Sequence, residues 1–492
     1  MRRYAYYAGL AIVASSFSLI GSGVYGLYRY VSDGSMVEGL AGAEMLAYGG
    51  LYIIVGLLLT RVGSGSLRMS EAVALTVLVW LAVPILDAIP FARVLHIPLV
   101  DAVFESVSGW TTTGLTILTG EPSSSGHVYV PRVEEIPDTL KVWRTLMQWE
   151  GGLGIVVFTI ALLAPPGVSV AALYLAEGKF ERLEASFKKT AVKMGVIYVV
   201  LTVISILLLL AAGMTPWDAV HHAMTGIATA GFSTHSDSVG YYLGKPAVLV
   251  AAAIVMFLGA VSFSDHYNLL TGRLGALRRS VELKGQLAIM LLAGLLAWAI
   301  WLRDPYFEHN MSLLQVEFHV VSAFATAGFQ AGDLHATGES YKILLAILSL
   351  IGGSAFSTAG GIKVLRILIA ARSISMEADL VVHPRGYVPR RSLGQYVIDE
   401  DLVRRTLATI AAFTWTYVLL VMALAALYPG LYDLGDVFFE IASAMGNVGL
   451  SAGISAASAP EGAKLILIAA MLLGRLEVVA YIVALKSIVR KP

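Results

Sequence analysis

Four copies of one pattern carry the chemistry of this chain: "DAVFESVSGWTTTGLT" (101–116), "DAVHHAMTGIATAGFS" (218–233), "QVEFHVVSAFATAGFQ" (315–330) and "DVFFEIASAMGNVGLS" (436–451). They align on Gly114, Gly231, Gly328 and Gly449, spaced by 117, 97 and 121 residues. Thirteen positions earlier stand Asp101, Asp218, Gln315 and Asp436, and nine earlier Glu105, His222, His319 and Glu440. Six earlier are hydroxyl residues (Ser108, Thr225, Ser322, Ser443), and five earlier small ones (Gly109, Gly226, Ala323, Ala444). Glycine permits backbone angles that aim successive carbonyls one way. Four such segments around one axis would form rings of carbonyl oxygens able to replace a cation's hydration shell. Two Glu and two His in one column could also bind a metal, but fourfold placement holds them apart. Hydrogen bonding from behind the glycine segment is the expected role.

Such backbone needs elements that hold it at membrane depth. The chain has 492 residues, 57% hydrophobic and 14% charged, with a mean hydropathy of +0.76; soluble domains carry about 25% charged residues. Runs near 20 apolar residues predict ten spans, at 5–28, 38–60, 71–92, 140–163, 190–213, 246–270, 286–303, 340–372, 402–427 and 463–488. The first thirty residues resemble a signal peptide only superficially, being long enough to span and lacking a small-residue cleavage site. Zero net charge gives no ground for nucleic-acid binding, and the absence of cysteine excludes disulfide and thiolate chemistry. With the N-terminus inside, 24 Lys and Arg fall on the cytoplasmic side and 9 outside, with Arg475 inside a span. That bias predicts both termini in the cytoplasm. The Asp or Gln opening each pattern reads as a helix N-cap. A helix of 10–12 residues then reaches about 15–18 Å, half a membrane, and its partly negative C-terminus favours a cation there.

The span at 340–372 is too long and is broken by "GGSAFSTAGG" (352–361), which predicts a re-entrant loop lining the conduction path. Arg475, in "MLLGRLEVVAYIVAL", is a charge within a span and so a functional candidate. Glu477, two residues on, falls on another helix face, so the loop's carbonyls and hydroxyls are the expected neighbours of Arg475. Lys363 and Arg366 read as cytoplasmic anchors. "GSGVYG" (21–26) matches G-x-G-x-x-G but follows no strand; small-residue helix packing explains it.

The chain resembles the Trk/Ktr/HKT superfamily of potassium transporters and is most similar to its TrkH branch. The likeness rests on four span–half-helix–span units, the segments "TTTGLT", "ATAGFS", "ATAGFQ" and "GNVGLS", and "QWEGGLGI" (148–155), "GGSAFSTAGGIKVLR" (352–366) and "LLGRLE" (472–477). It implies an all-α polytopic membrane fold, with four pseudo-fourfold repeats around one pore and two extra N-terminal spans. The corresponding divisions are 1–68, 69–185, 186–283, 284–385 and 386–492. It implies K+ uptake across the cell membrane, with no cofactor in this chain and K+ held by filter carbonyls of Thr112, Thr113 and Gly114; Thr229, Ala230 and Gly231; Thr326, Ala327 and Gly328; and Asn447, Val448 and Gly449. Glycine at all four filter positions goes with K+ over Na+ in the superfamily. Gly352, Gly353, Gly360, Gly361 and Arg475 correspond to the intramembrane gate. A homodimer and a cytoplasmic nucleotide-binding gating subunit, TrkA-like, are the implied partners besides membrane lipid, with 164–190 and 372–405 as candidate docking segments or solvated connectors and 271–286 exposed beside them on the inner face. Glu150 departs from the family pattern, where an apolar residue is usual; a polar contact with a neighbouring filter unit is the expectation. The alternatives are an H+- or Na+-coupled secondary transporter, disfavoured by four parallel units, and a membrane enzyme, for which no convergent acid, base or nucleophile cluster stands out.

Overall fold

The computed structural model describes residues 2–63, 65–163, 170–177, 181, 183–384, 387, 389, 391–394 and 396–489. Parts of 164–190 and of 372–405 therefore lie outside the described residues. The chain is a nearly all-helical, multi-pass membrane protein. It opens with a pair of long helices, α1 (Arg2–Asp33) and α2 (Met36–Thr60). They pack through small residues: a side chain at Gly23 or Gly26 would strike the backbone of Gly42, and one at Gly9 the carbonyl of Gly56. "GSGVYG" is thus a helix-packing motif. The hydroxyls of Ser15, Ser16, Ser18 and Ser22 in α1 bond back one turn (Ser18 to Ser15 O, 2.9 Å; Ser22 to Leu19 O, 3.0 Å).

Four units follow, each a span, a half-helix and a second span. The first is α3 (Met69–Leu95), α4 (Leu99–Trp110), α5 (Asp138–Leu153), α6 (Ile155–Leu163) and the short α7 (Val170–Ala176), with a β-hairpin, β1 (Thr119–Pro122) and β2 (Tyr129–Arg132), after the half-helix. The second is α8 (Phe187–Ala211), α9 (Pro216–Ile227), α10 (Pro246–Ala260), α11 (Phe263–Leu270) and α12 (Leu274–Leu277). The third is α13 (Val281–Trp301), α14 (Phe307–Asn310), α15 (Leu313–Phe324), α16 (Glu339–Ile351) and α17 (Val364–Val382). A two-residue pairing, β3 (Ser392–Leu393) with β4 (Tyr396–Val397), precedes the fourth: α18 (Glu400–Leu427), α19 (Leu434–Gly446), α20 (Glu461–Leu476) and α21 (Val478–Val489). Leu207, Leu291, Leu292 and Trp415 stand exposed on the outer faces of α8, α13 and α18, surfaces suited to an apolar surrounding.

One broken span was expected, and all four second spans are broken. The chain turns by 86° between α5 and α6, 104° between α10 and α11 and 88° between α20 and α21, and by the whole loop 352–363 between α16 and α17. The shorter breaks occupy one or two residues: Gly154 at φ 97°, Glu477 at φ 64°, and extended Val261 and Ser262. A one-residue break leaves the hydropathy of its span intact, so the sequence pattern does not report it.

The helix-start expectation needs a second correction. Asp101, Asp218, Gln315 and Asp436 are the third helical residues, and the caps are Pro98, Thr215, Ser312 and Asp433. Ser312 and Gln315 make a full capping box, the arrangement in which the residue at this position reaches back to the cap. This position also joins neighbouring units. Lys464, the fourth residue of α20, pairs with Asp101 of α4, tying the last unit to the first. Lys342, at the same place in α16, pairs with Asp436 of α19 at 2.5 Å. In α10 the equivalent residue is Leu249, where the following unit carries neutral Gln315. Lys464 and Asp101 are both fully buried, and an unpaired buried charge costs about 3–5 kcal/mol. Lys464→Met should therefore lower the thermal unfolding midpoint of the purified protein sharply, and adding Asp101→Asn should restore most of it. An unchanged midpoint in the single variant would show that the pair does not brace the ring.

Candidate ion filter and intramembrane loop

Each half-helix ends in the same way. The N–H of Thr112, Thr229, Thr326 and Asn447 bonds the carbonyl three residues back, and the N–H of Thr113, Ala230, Ala327 and Val448 the carbonyl five back, at 2.8–3.2 Å throughout. This is a Schellman ending, whose reversing residue is left-handed and usually Gly. Here it is Thr112, Thr229, Thr326 and Asn447, at φ 51–56°. Asn adopts this region with least strain; a β-branched residue there is a true outlier. The column of hydroxyl residues at Ser108, Thr225, Ser322 and Ser443 is where the second of these bonds is accepted, through the backbone carbonyl.

The four glycines come two residues later, again at positive φ, 72–105°. A side chain on Gly114 would strike Ala230 O, on Gly231 Ala327 O, on Gly328 Val448 O, and on Gly449 Thr113 O. Each strand therefore abuts the backbone of the next, and the fourth abuts the first. All four glycines line one cavity of about 670 Å³, which also includes Arg144, Ser233, Gln330 and Ser451.

The column nine residues before the glycine holds the strand that leaves it. Glu105 accepts from the Thr116 hydroxyl (2.9 Å) and Ile117 N–H (3.2 Å). His222 Nε2 meets Ser233 Oγ at 2.9 Å, and His319 Nε2 accepts from Ala331 N–H at 3.0 Å. Glu440 accepts from Ala452 and Ser455 N–H (2.9 and 3.0 Å) and from the Ser451 hydroxyl (2.9 Å). Glu105 is also paired with buried Arg144 at 2.7 Å. Sequence reasoning missed Gln148, whose amide donates to Ala230 O (2.8 Å) and accepts from Phe232 N–H (3.0 Å). It, not Glu150, makes the contact with the neighbouring unit. Glu150 is fully buried, and neither carboxyl oxygen has a hydrogen-bond partner among the described residues.

The loop 352–363 packs beneath the strands. Its ends are pinched together, because a side chain on Gly352 would strike Gly360 O and one on Gly361 would meet the backbone of Gly352. A side chain on Gly353 would also strike Ala260 O, and one on Gly360 would strike Gly446 O. The Thr358 hydroxyl reaches Ile227 O (3.0 Å) and Gly259 O (2.9 Å) and stands 3.2 Å from the Thr229 hydroxyl. Gly360 N–H donates to the Thr326 hydroxyl at 2.7 Å. Half-buried Arg475 donates to the Thr112 hydroxyl (3.0 Å), Gly151 O and Thr358 O (3.5 Å), with its guanidinium 5.1 Å from the Trp80 ring centre. The Asn447 amide donates to Thr113 Oγ1 (3.0 Å) and Met471 O (2.9 Å). Arg366 is no simple anchor, for it forms a two-pronged pair with Glu477 (2.7 and 3.1 Å) that joins α17 to the break in the last span.

Known proteins resemble this chain along most of its length. A family model described as TrkH, cation transport protein, matches residues 48–298 and 307–490. The Trk system potassium uptake protein TrkH of Salmonella typhimurium is 33% identical, over 85% of this chain and 86% of its own. The Trk system potassium uptake protein TrkI of Halomonas elongata is 34% identical over 85% and 84%. The crystal structure of the potassium transporter TrkH from Vibrio parahaemolyticus superimposes with a TM-score of 0.80 at 24% identity, covering 99% of this chain and 98% of that one. The chain belongs to the TrkH family of cation transport proteins.

Proposed function

We propose that this protein takes up K+ across the cell membrane through the ring formed by Thr112-Thr113-Gly114, Thr229-Ala230-Gly231, Thr326-Ala327-Gly328 and Asn447-Val448-Gly449. The closed circuit of glycine-to-carbonyl contacts among the four strands carries this reading. An ion entering from the cavity would exchange water for backbone oxygens, at the partly negative ends of four half-helices. Potassium is the ion named for the relatives above. The repeats are taken as 69–185, 186–283, 284–385 and 386–492, behind a two-span segment 1–68, with both termini cytoplasmic. One subunit holds one complete pore, two subunits form a dimer with separate pores, and a cytoplasmic nucleotide-binding subunit, TrkA-like, governs opening.

The loop 352–363 is the gate in this reading. It touches the left-handed threonines Thr229 and Thr326 directly and Thr112 through Arg475. A loop docked there blocks the route from the strands to the cytoplasm, and a regulator pulling on α17 would draw it aside. Arg475 adds a fixed positive charge that repels a cation until the loop moves.

Gly114→Ser should lower the K+ over Na+ flux ratio in proteoliposomes by about ten-fold, equivalent to ~1.4 kcal/mol of lost differential stabilisation. Serine resists the backbone angle of Gly114 and meets Ala230 O. Gly231→Ser, Gly328→Ser and Gly449→Ser should act alike, and unchanged ratios in all four would refute the ring. Deleting residues 354–357, or replacing Arg475 with Ala, should raise Rb+ flux several-fold without any partner. Parental flux in both variants would place the gate elsewhere.

A further inference from the structure

The break in the second unit sends the chain into an excursion of unusual character. The turn of 104° between α10 and α11 sets α11 at roughly a right angle to the span that precedes it. The stretch "NLLTGRLGALRRSV" (268–281) carries three arginines and no acid. Leu269, Leu270 and Leu274 are each about half exposed, and Arg273, Arg278, Arg279 and Lys284 are exposed beside them. Among the described residues, none of these four cations has a carboxylate partner; Arg273 only rests 5.6 Å from the Tyr267 ring centre. Apolar side chains at the end of a helix turned away from its span, flanked by arginines without carboxylate partners, match the boundary between acyl chains and anionic headgroups. A docked protein would have to bury the same leucines against its own apolar surface.

The base of the excursion grips the loop on both sides. At its start, Phe263 N–H donates to Phe356 O at 2.7 Å, and the two rings pack edge to face at 5.7 Å. Just beyond its end, Glu282 accepts from Ala355 N–H at 2.9 Å. Between them the Ser280 hydroxyl donates to Asp265 at 2.8 Å, tying the end of the excursion to its start. Displacing the tip therefore tugs adjacent residues 355 and 356 together.

We propose that residues 268–284 form a binding site for anionic phospholipid headgroups, and that occupancy of this site sets the position of the loop 352–363. The second clause rests on the gate reading given above; the first does not. Arginines at this surface hold phosphate, the leucines enter the acyl boundary, and the lipid thereby fixes the excursion from which the loop hangs.

The chain has no cysteine, so Leu270→Cys accepts a single environment-sensitive fluorophore. The labelled full chain is placed in phosphatidylcholine vesicles with or without phosphatidylglycerol, and quenching by an aqueous agent is measured. Phosphatidylglycerol should shield the label. Each arginine near an anionic surface contributes roughly five-fold to binding. The lipid concentration for half-shielding should thus rise about a hundred-fold in the triple variant R273Q/R278Q/R279Q and stay near parental in R273K/R278K/R279K. A label equally open to quencher in both lipids, equal shielding in the parent and the Gln variant, or shielding only on adding a cytoplasmic protein would overturn the site. Rb+ flux in the same vesicles tests the second clause. Phosphatidylglycerol should change flux severalfold in the parent and not in the Gln variant. Normal shielding with lipid-independent parental flux would overturn the link to the loop while leaving the lipid site standing.

Discussion

Everything in this molecule is arranged around one requirement: four helices must stop halfway through a bilayer without leaving backbone groups unpaired. Water is not there to solvate a frayed end. Each half-helix meets the requirement by folding its last turn back on itself, with two hydrogen bonds closing over a left-handed residue. Three of these residues are threonines, for which the conformation costs on the order of 1–3 kcal/mol. Surrounding structure must hold them there. The holders are the loop and Arg475, which meet the hydroxyls of Thr229, Thr326 and Thr112. The reversal points and the loop are therefore one mechanical unit.

The repeats are alike in plan and unlike at their midpoints. In the first, second and fourth units a glycine of the second span (Gly151, Gly259, Gly474) lies against the last carbonyls of its own half-helix, on Trp110, Ile227 and Met445. The third unit has an entire loop where the others have one or two residues. That loop reaches into the second unit, where the Thr358 hydroxyl takes both Ile227 O and Gly259 O. Fourfold symmetry is thus broken in one quadrant, and the surplus chain of that quadrant packs beneath the strands.

Much of this was legible in the sequence because it is periodic or repeated. Apolar run lengths gave the spans, and alignment of the four copies gave the half-helices and the residues behind them. Glu105, His222, His319 and Glu440 bond their own exit strands, and those partners lie eleven to fifteen residues away, at the end of each copy or just past it. What escaped notice is non-local or very short. Gln148 meets a strand 82 residues on, Lys464 an aspartate 363 residues back, and Arg366 a glutamate 111 residues on. No spacing rule joins such pairs. The bends at Gly154 and Glu477 are single-residue events inside apolar runs. The position of Asp101, Asp218, Gln315 and Asp436 inside their helices, rather than at the cap, turned on residues three places earlier whose types differ in every copy.

All four quadrants of the ring are encoded in one polypeptide. In an assembly of identical subunits a single codon change alters every quadrant at once, so only alterations tolerable in quadruplicate survive. Here Asn447 stands opposite three threonines, and Thr113 and Val448 stand beside two alanines, without forcing the same residue on the other quadrants. Such a ring can be retuned one quarter at a time, by steps small enough to keep a working protein at every stage.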